Sequence, residues 1–525
     1  MSFYCAPVIA MALNQATLKA GELITTLKNE AITVLETTTL AQWLIGALLL
    51  AVIATGSLCL YRLTMHPLSK FPGPPLAACS SFYFMYYIST GFFPQHCERL
   101  FKKYKSNVIR VGPNQIVFND VRALKDIVGR SDTYRGDFAL RVIGFAATNV
   151  SNIRDPGEHR RKRRLMAPGF ANSVLAEQEP IIATPIVDKL VARIETIPDG
   201  VVNLADYFDC VTLDMIGALA FGANFGMLDH VEKHPFLHVL PNVLRWSVIV
   251  GAIPSWFRLM SKVNQYGPKW TTPKPMRGVV DFAGKHLALR KKRGSTINDR
   301  DIISVIEAGN EKFKGQPGYT QLGKYEMLGE ATNLVTGGGD TVATALTTSF
   351  FHLGQNPSIY QELTKSLRSM FPTFESINAP AASKIPLLDA ALNEAMRVSP
   401  VLPGPMWRRT DNPIEVAGHL VPGGTELGAM RWNIFRHPDY FHSPEVFKPS
   451  RWLEDLGDNL DACLPFGLGP RTCIGRNIAM MELRLIVSKL LWKFDWAPVT
   501  MEYVNPEYLV LYRGPMLMKA SERKN

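Results

Sequence analysis

Apolar and polar positions separate into one long uncharged run followed by several stretches of helical periodicity. Residues 41–61 (AQWLIGALLLAVIATGSLCLY) carry no charge. At ~1.5 Å rise per residue they cover a ~30 Å hydrocarbon core, which predicts a transmembrane helix. Trp43 and Tyr61 lie near its ends, as interfacial aromatics do. A buried core helix is the alternative. A cleaved signal peptide fits poorly, because no clear basic segment precedes the run. The preceding twenty residues hold Lys28, and the following twenty hold Arg62 and Lys70. This bias places the C-terminal part in the cytosol. Residues 62–75 contain His66-Pro-Leu-Ser-Lys-Phe-Pro-Gly-Pro-Pro75, whose four prolines suit a stiff spacer. In the 1–40 tail, apolar residues at 20, 23, 24, 27, 31 and 35 follow helical spacing. A helix on a membrane surface and a poorly ordered tail both remain open.

Beyond the spacer, residues 325–353 predict a long, mostly apolar helix with Gly337-Gly338-Gly339-Asp340-Thr341 in its middle. Three interior glycines cost roughly 3 kcal/mol relative to alanine. Such a run suits backbone that skims a ligand face and opens locally. Residues 387–398 (LLDAALNEAMRV) predict a helix ended by Ser399-Pro400, and 474–494 one turning Ile478, Met481, Leu485, Val487 and Leu491 to a core. Residues 236–257 are apolar, but Pro241, Arg245 and Pro254 argue against a second span.

Composition changes this picture little. With 525 residues, 47% hydrophobic and 20% charged, the chain is long enough for a large core. The net charge of +11 invites an acidic partner, which composition alone does not choose. Seven cysteines include no Cys-x-x-Cys pair, so zinc-ribbon and thioredoxin-like readings have no support. Their odd number and wide spacing fit a reducing compartment.

The sharpest chemistry lies in Phe466-Gly-Leu-Gly-Pro-Arg-Thr-Cys-Ile-Gly475. A glycine-rich loop here delivers Cys473 to the start of an apolar helix. Gly467 and Gly469 permit left-handed backbone and close approach to a flat surface. Free amides at a helix N-terminus stabilise a thiolate, and Arg471 offers a planar fork to a carboxylate. Cys463, without this context, reads as a core thiol. The stretch resembles the haem-binding signature of the cytochrome P-450 family, Phe-x-x-Gly-x-Arg-x-Cys-x-Gly, at every fixed position. The resemblance implies haem b with Cys473 as the axial iron ligand, and Phe466, Gly467, Arg471 and Gly475 cradling the cofactor.

Other segments extend the resemblance over about 66–515. Glu394 and Arg397 match the family's Glu-x-x-Arg, and Arg451 in Phe447-Lys-Pro-Ser-Arg-Trp452 its third member. The triad is structural. Gly338-Gly339-Asp340-Thr341 resembles the oxygen-binding motif, with Thr341 holding water and Asp340 relaying protons. Val342 stands where the family has a second hydroxyl. In Glu158-His-Arg-Arg-Lys-Arg-Arg164, His159 replaces a tryptophan that touches a haem propionate, and Arg163 follows four later. The remaining basic residues would face a reductase. Read alone, the run is a solvated helix or a nucleic-acid patch. Arg408 matches another propionate contact, with Arg409 as rival. DMIGALAFG (214–222), GHLVPGGT (418–425) and His437-Pro438 add weaker matches.

The resemblance implies a mainly α fold with small β-sheets (α+β) over 76–525, behind the single helix. It implies a monooxygenase drawing electrons from NADPH through a reductase, with cytochrome b5 as a further donor, in the endoplasmic reticulum membrane. No nucleic-acid partner is expected. The loops look like fungal members acting on terpenoid, polyketide or alkaloid intermediates; a detoxifying or fatty-acid oxidase is the alternative. A haem-thiolate isomerase or dehydratase and a non-catalytic haem protein stay open, though Thr341 disfavours the former. Asn149-Val-Ser151 is a glycosylation sequon expected to go unused. Arg290-Lys-Lys-Arg293 reads as a solvated helix end. Substrate selection is expected from the 133–155 loop, the 220–260 region and Val401 to Trp407.

Overall fold

The computed structural model describes residues 18–26, 28–29, 39–143, 148–231, 236–252, 274–293, 300–317, 319–500 and 506–523. These fall into two units, Met1–His66 and Pro67–Asn525. Positions 27, 31 and 35 of the tail, Pro254, and 144–147 of the 133–155 loop lie outside the described residues.

In the first unit, helix α1 (Leu40–Thr64) spans 25 residues with none buried. It is long and apolar enough to cross a membrane, with mean hydropathy 2.3 over its most apolar window. It begins one residue earlier than the apolar run because Thr39 and Gln42 form a reciprocal cap. It ends three later, where the Thr64 hydroxyl donates to Leu60 O at 2.7 Å.

The second unit is mainly helical. Its functional elements are helices α2 (Pro156–Met166), α3 (Leu204–Phe221), α4 (Phe236–Ala252), α5 (Lys274–Arg293), α6 (Lys324–Gln355), α7 (Pro386–Val398) and α8 (Arg476–Lys493). Strands β1 (Val108–Gly112), β2 (Gln115–Phe118), β3 (Tyr134–Arg135), β4 (Arg408–Arg409) and β5 (Glu426–Ala429) make one sheet, ordered β1-β2-β5-β4-β3. Among the described residues the other sheets have two or three strands. Part of the segment read as a spacer is built into this unit: Leu68 and Phe71 are buried, and Arg110 N–H donates to Pro72 O at 2.8 Å.

Helix α6 is the axis of the core, packed on α3, α5, α7 and α8. It starts where the Glu326 carboxylate accepts from Gly323 N–H at 3.1 Å, and stops before Pro357, the first residue of the next helix. Its glycine run stays helical throughout, so the local opening expected at 337–339 is not found. A Cβ on Gly338 would lie 2.6 Å from Ile216 Cγ1, and one on Gly339 2.7 Å from Leu213 Cδ2. These two glycines let α3 approach closely. A Cβ on Gly337 would meet nothing within 4 Å, and only that residue keeps the open face that the sequence suggested for all three.

Helix α7 carries the buried charge cluster. Arg397 holds Glu394 with two bonds, Nε at 2.8 Å and Nη2 at 2.9 Å, and Arg451 Nε reaches the same carboxylate at 2.9 Å. Arg397 also donates to Phe435 O (2.8 Å) and Pro444 O (2.7 Å), tying the helix to the chain that leads into the cysteine loop. The triad has a fourth member: Asp458 pairs with Arg451 and offsets the second guanidinium.

Candidate functional site

A cavity of about 310 Å³ lies between α6 and the cysteine loop. Gly337, Gly338, Thr341, Val342 and Ala345 line one side; Phe466, Cys473, Ile474, Gly475 and Ala479 line the other. Arg135, His159, Arg163, Arg431 and Arg471 supply a basic edge to an otherwise apolar lining.

The loop is shaped by its own backbone. Gly467 and Gly469 have φ of 71° and 74°, in the left-handed region. A side chain on Gly469 would also strike Val128 O at 2.8 Å. Cys473 N–H donates to Phe466 O at 2.9 Å, closing the loop, and Gly475 caps α8. The helix begins at Arg476, two residues later than the apolar pattern suggested, so Cys473 sits just before its free amides. Desolvation raises the thiol above its ordinary value, while the Gly475 N–H, the Arg163 charge, the Arg476 N–H and the Arg476 charge pull it back. Cys463, by contrast, is buried and makes part of the apolar core.

On the opposite wall the Thr341 hydroxyl donates to Gly337 O at 2.7 Å. Asp340 lies beside it in sequence but off the cavity wall, since successive helical residues turn about 100°. Its carboxylate binds Arg513 Nη2 at 2.7 Å, and Arg513 also pairs with Asp209 on α3. The proton relay expected of Asp340 therefore starts from an ion pair.

The basic edge differs in detail from the sequence expectation. His159 is buried and held down to about 4, first by burial and then by Arg471, Arg163, Arg135 and Arg408, so its ring is neutral at pH 7. Arg163 Nη1 donates to Thr472 O (2.7 Å) and Arg471 Nη1 to Ile153 O (2.8 Å), both brought to the cavity rim. Arg408, not Arg409, turns into the protein: it is 1% exposed with Nη2 unpartnered, whereas Arg409 pairs with Asp137. Two cavity arginines gave no sequence signal, Arg135 and Arg431. Arg135 stands opposite Arg408 in the β3–β4 pairing, which only the assembled sheet reveals.

Of the basic run 158–164, Lys162 is buried in an ion pair with Glu326 (2.9 Å) and Glu330 (3.2 Å) of α6, and Arg161 binds Glu158 at 2.7 Å. Of the basic residues other than Arg163 only Arg160 and Arg164 are exposed, so the surface expected to face a reductase shrinks from four residues to two. Asn149 is buried, its side-chain oxygen accepting from Ser151 N–H at 2.9 Å, which suits an unused sequon.

These residues fit a flat dicarboxylate macrocycle. The cavity has opposed apolar walls, an open Gly337 on one and a thiol on the other. Its edge carries guanidiniums, and their charges repel Arg408, which is outside the lining and has an orphaned buried nitrogen. Two propionates would relieve that repulsion.

A model of the cytochrome P450 family matches residues 72–518. The chain is 32% identical over 468 residues to the cytochrome P450 monooxygenase ORF11 of Penicillium roqueforti, covering 86% of this chain and 94% of that protein. It is 31% identical to the cytochrome P450 monooxygenase cpaH of Aspergillus oryzae, over 83% of this chain and 85% of that one. With the cytochrome P450 monooxygenase BOT4 of Botryotinia fuckeliana the identity is 32%, over 89% and 86%.

Proposed function

The chain belongs to the cytochrome P450 family and is a haem-thiolate monooxygenase, and from that premise we propose that it oxidises a lipophilic intermediate of fungal secondary metabolism with electrons from NADPH. The observation that carries the reading is the pair of opposed walls, Cys473 on one and Thr341 on the other. Fungal monooxygenase relatives support the metabolic setting. The apolar lining supports a lipophilic substrate.

Haem, when bound, supplies the dioxygen and redox chemistry. The protein's part is to hold and to exclude. Cys473 would hold the haem iron through its thiolate, and Phe466, Gly467 and Gly475 would shape the surface beside it. Arg163, Arg408, Arg471 and His159 would hold the propionates, joined by Arg135. Thr341 would present its hydroxyl, and hold a water, on the cavity wall opposite Cys473. Asp340, paired with Arg513 behind that wall, would relay protons towards Thr341. Helix α1 anchors the chain in the endoplasmic reticulum membrane with the catalytic unit cytosolic. A membrane-bound flavoprotein reductase docks near Arg160 and Arg164, with cytochrome b5 as a second donor.

The reduced carbon-monoxide difference spectrum tests the ligand. Wild type should give the thiolate-type band and Cys473→Ala should not; a retained band would remove Cys473 from its role. Thr341→Ala should keep the band while NADPH consumption rises relative to product, by roughly tenfold or more. Unchanged coupling would end the proton-handling assignment.

A further inference from the structure

We propose that Arg431 binds a carboxylate carried by the lipophilic substrate. The inference rests on the monooxygenase reading of the cavity and names a substrate class for it.

Arg431 follows β5 directly. Met430 pairs with Pro405, and Trp432 N–H donates to Pro403 O at 3.0 Å. Arg431 is thereby set beside Val401, Leu402 and Met406, the apolar stretch of the same cavity. Its side chain lines the cavity yet is only 5% exposed, and its Nε has no hydrogen-bond partner. The neighbouring cations are differently placed. Arg163, Arg471 and Arg135 each donate to a backbone carbonyl, of Thr472, Ile153 and Ser151.

Charge counting sharpens the point. Haem brings two propionates. Arg135, Arg163, Arg408 and Arg471 already offer four positive charges to them; Arg135, Arg408 and Arg471 repel one another, and Arg431 repels Arg135 and Arg408 as well. Arg431 is a further charge at that edge. The acid on which its charge acts is Glu507, and burial pushes that carboxyl up to about 8, against the pull of Arg431 and the Gly404 N–H. No ion pair joins Glu507 to Arg431 among the described residues, and Glu507 Oε2 and Arg431 Nε are both buried without a hydrogen-bond partner. Burial lowers Arg431 to about 10, so it is still charged. A buried, charged fork open to an apolar cavity is the arrangement that recognises one carboxylate on a greasy body. The carboxylate would be pinned at the Met406 side, leaving the apolar portion to reach toward Thr341.

Spectral titration of the full-length holoenzyme tests this with two matched probe pairs, decanoic acid with methyl decanoate and abietic acid with methyl abietate. In at least one pair the acid should bind about tenfold or more tighter than its ester at pH 7.4. Arg431→Met should bring that ratio close to one, and Arg431→Lys should recover part of it. Haem content, haem loss to a scavenger protein and the thiolate band should match wild type in both variants. No acid preference in either pair overturns the proposal, as does a preference that survives Arg431→Met. Faster haem loss from Arg431→Met would also overturn it, by showing that Arg431 serves a propionate. Failure of the monooxygenase reading looks different: the thiolate band itself would be missing from wild type.

Discussion

Arg513 holds two carboxylates, Asp340 on α6 and Asp209 on α3. Asp209 is raised to about 7, first by burial, then by Asp340 and Asp206, with Arg513 pulling it down. A carboxyl raised in the folded state keeps its proton longer than in the unfolded chain. Its contribution to stability is complete below about pH 4 and is lost as pH rises through about 7. Asp209→Asn removes that titration while keeping an acceptor for Arg513. Between pH 5 and 8, the wild-type melting point should fall relative to the variant, by the equivalent of on the order of 2 kcal/mol after allowance for partial exposure. Parallel melting curves across that range would rule out Asp209 as the titrating group. None of this cluster could be read from local pattern, because Asp209, Asp340 and Arg513 lie on three separate segments. Cys473 was legible for the opposite reason: its loop, its glycines and its helix start are contiguous. Arg135 and Arg431 were missed because the assembled sheet brings them to the cavity, and Asp458, only seven residues from Arg451, because the turn between them carries no periodic pattern.

Helices show the same division between local and assembled information. The pattern at 387–398 yields α7 to within one residue, Pro386–Val398, since periodicity and a following Ser-Pro are both local signals. The glycine run in α6 was legible as unusual but not as to cause. Gly338 and Gly339 meet α3, and Gly337 has only the cavity before it, with Gly338 at the cavity's edge as well, a split that depends on which helix packs where. Gly338→Ala would push a methyl group against three atoms of Ile216, at 2.6, 2.8 and 3.2 Å. Overpacking of that kind costs ~1–3 kcal/mol, against ~1 kcal/mol gained in helix propensity. Gly337→Ala meets no protein atom and has only the gain. Thermal melts of the cofactor-free chain should place Gly338→Ala below wild type and Gly337→Ala at or above it. The reverse order would mean that the run exists for flexibility and not for the approach of α3.

At the scale of the whole chain, large apolar side chains are exposed in two places. Helix α1 exposes its whole apolar surface. The second unit exposes apolar side chains of its own: Leu76 (71%), Phe82 (63%) and Tyr86 (61%), with Trp246 (49%) on α4. Helix α4 packs on the helix Ser81–Ser89 that bears Phe82 and Tyr86, so these side chains belong to neighbouring elements. Exposed aromatics grouped in this way mark a surface that meets lipid or protein. The net charge of +11 adds attraction to an anionic bilayer. A chain lacking residues 1–64 should therefore still sediment with anionic phospholipid vesicles at low salt. The same truncation carrying Leu76→Ser, Phe82→Ser and Tyr86→Ser should stay largely in the supernatant, with its thiolate band intact. Should the unmutated truncation remain in the supernatant as well, α1 alone would account for membrane attachment. The exposed aromatics would then need another partner.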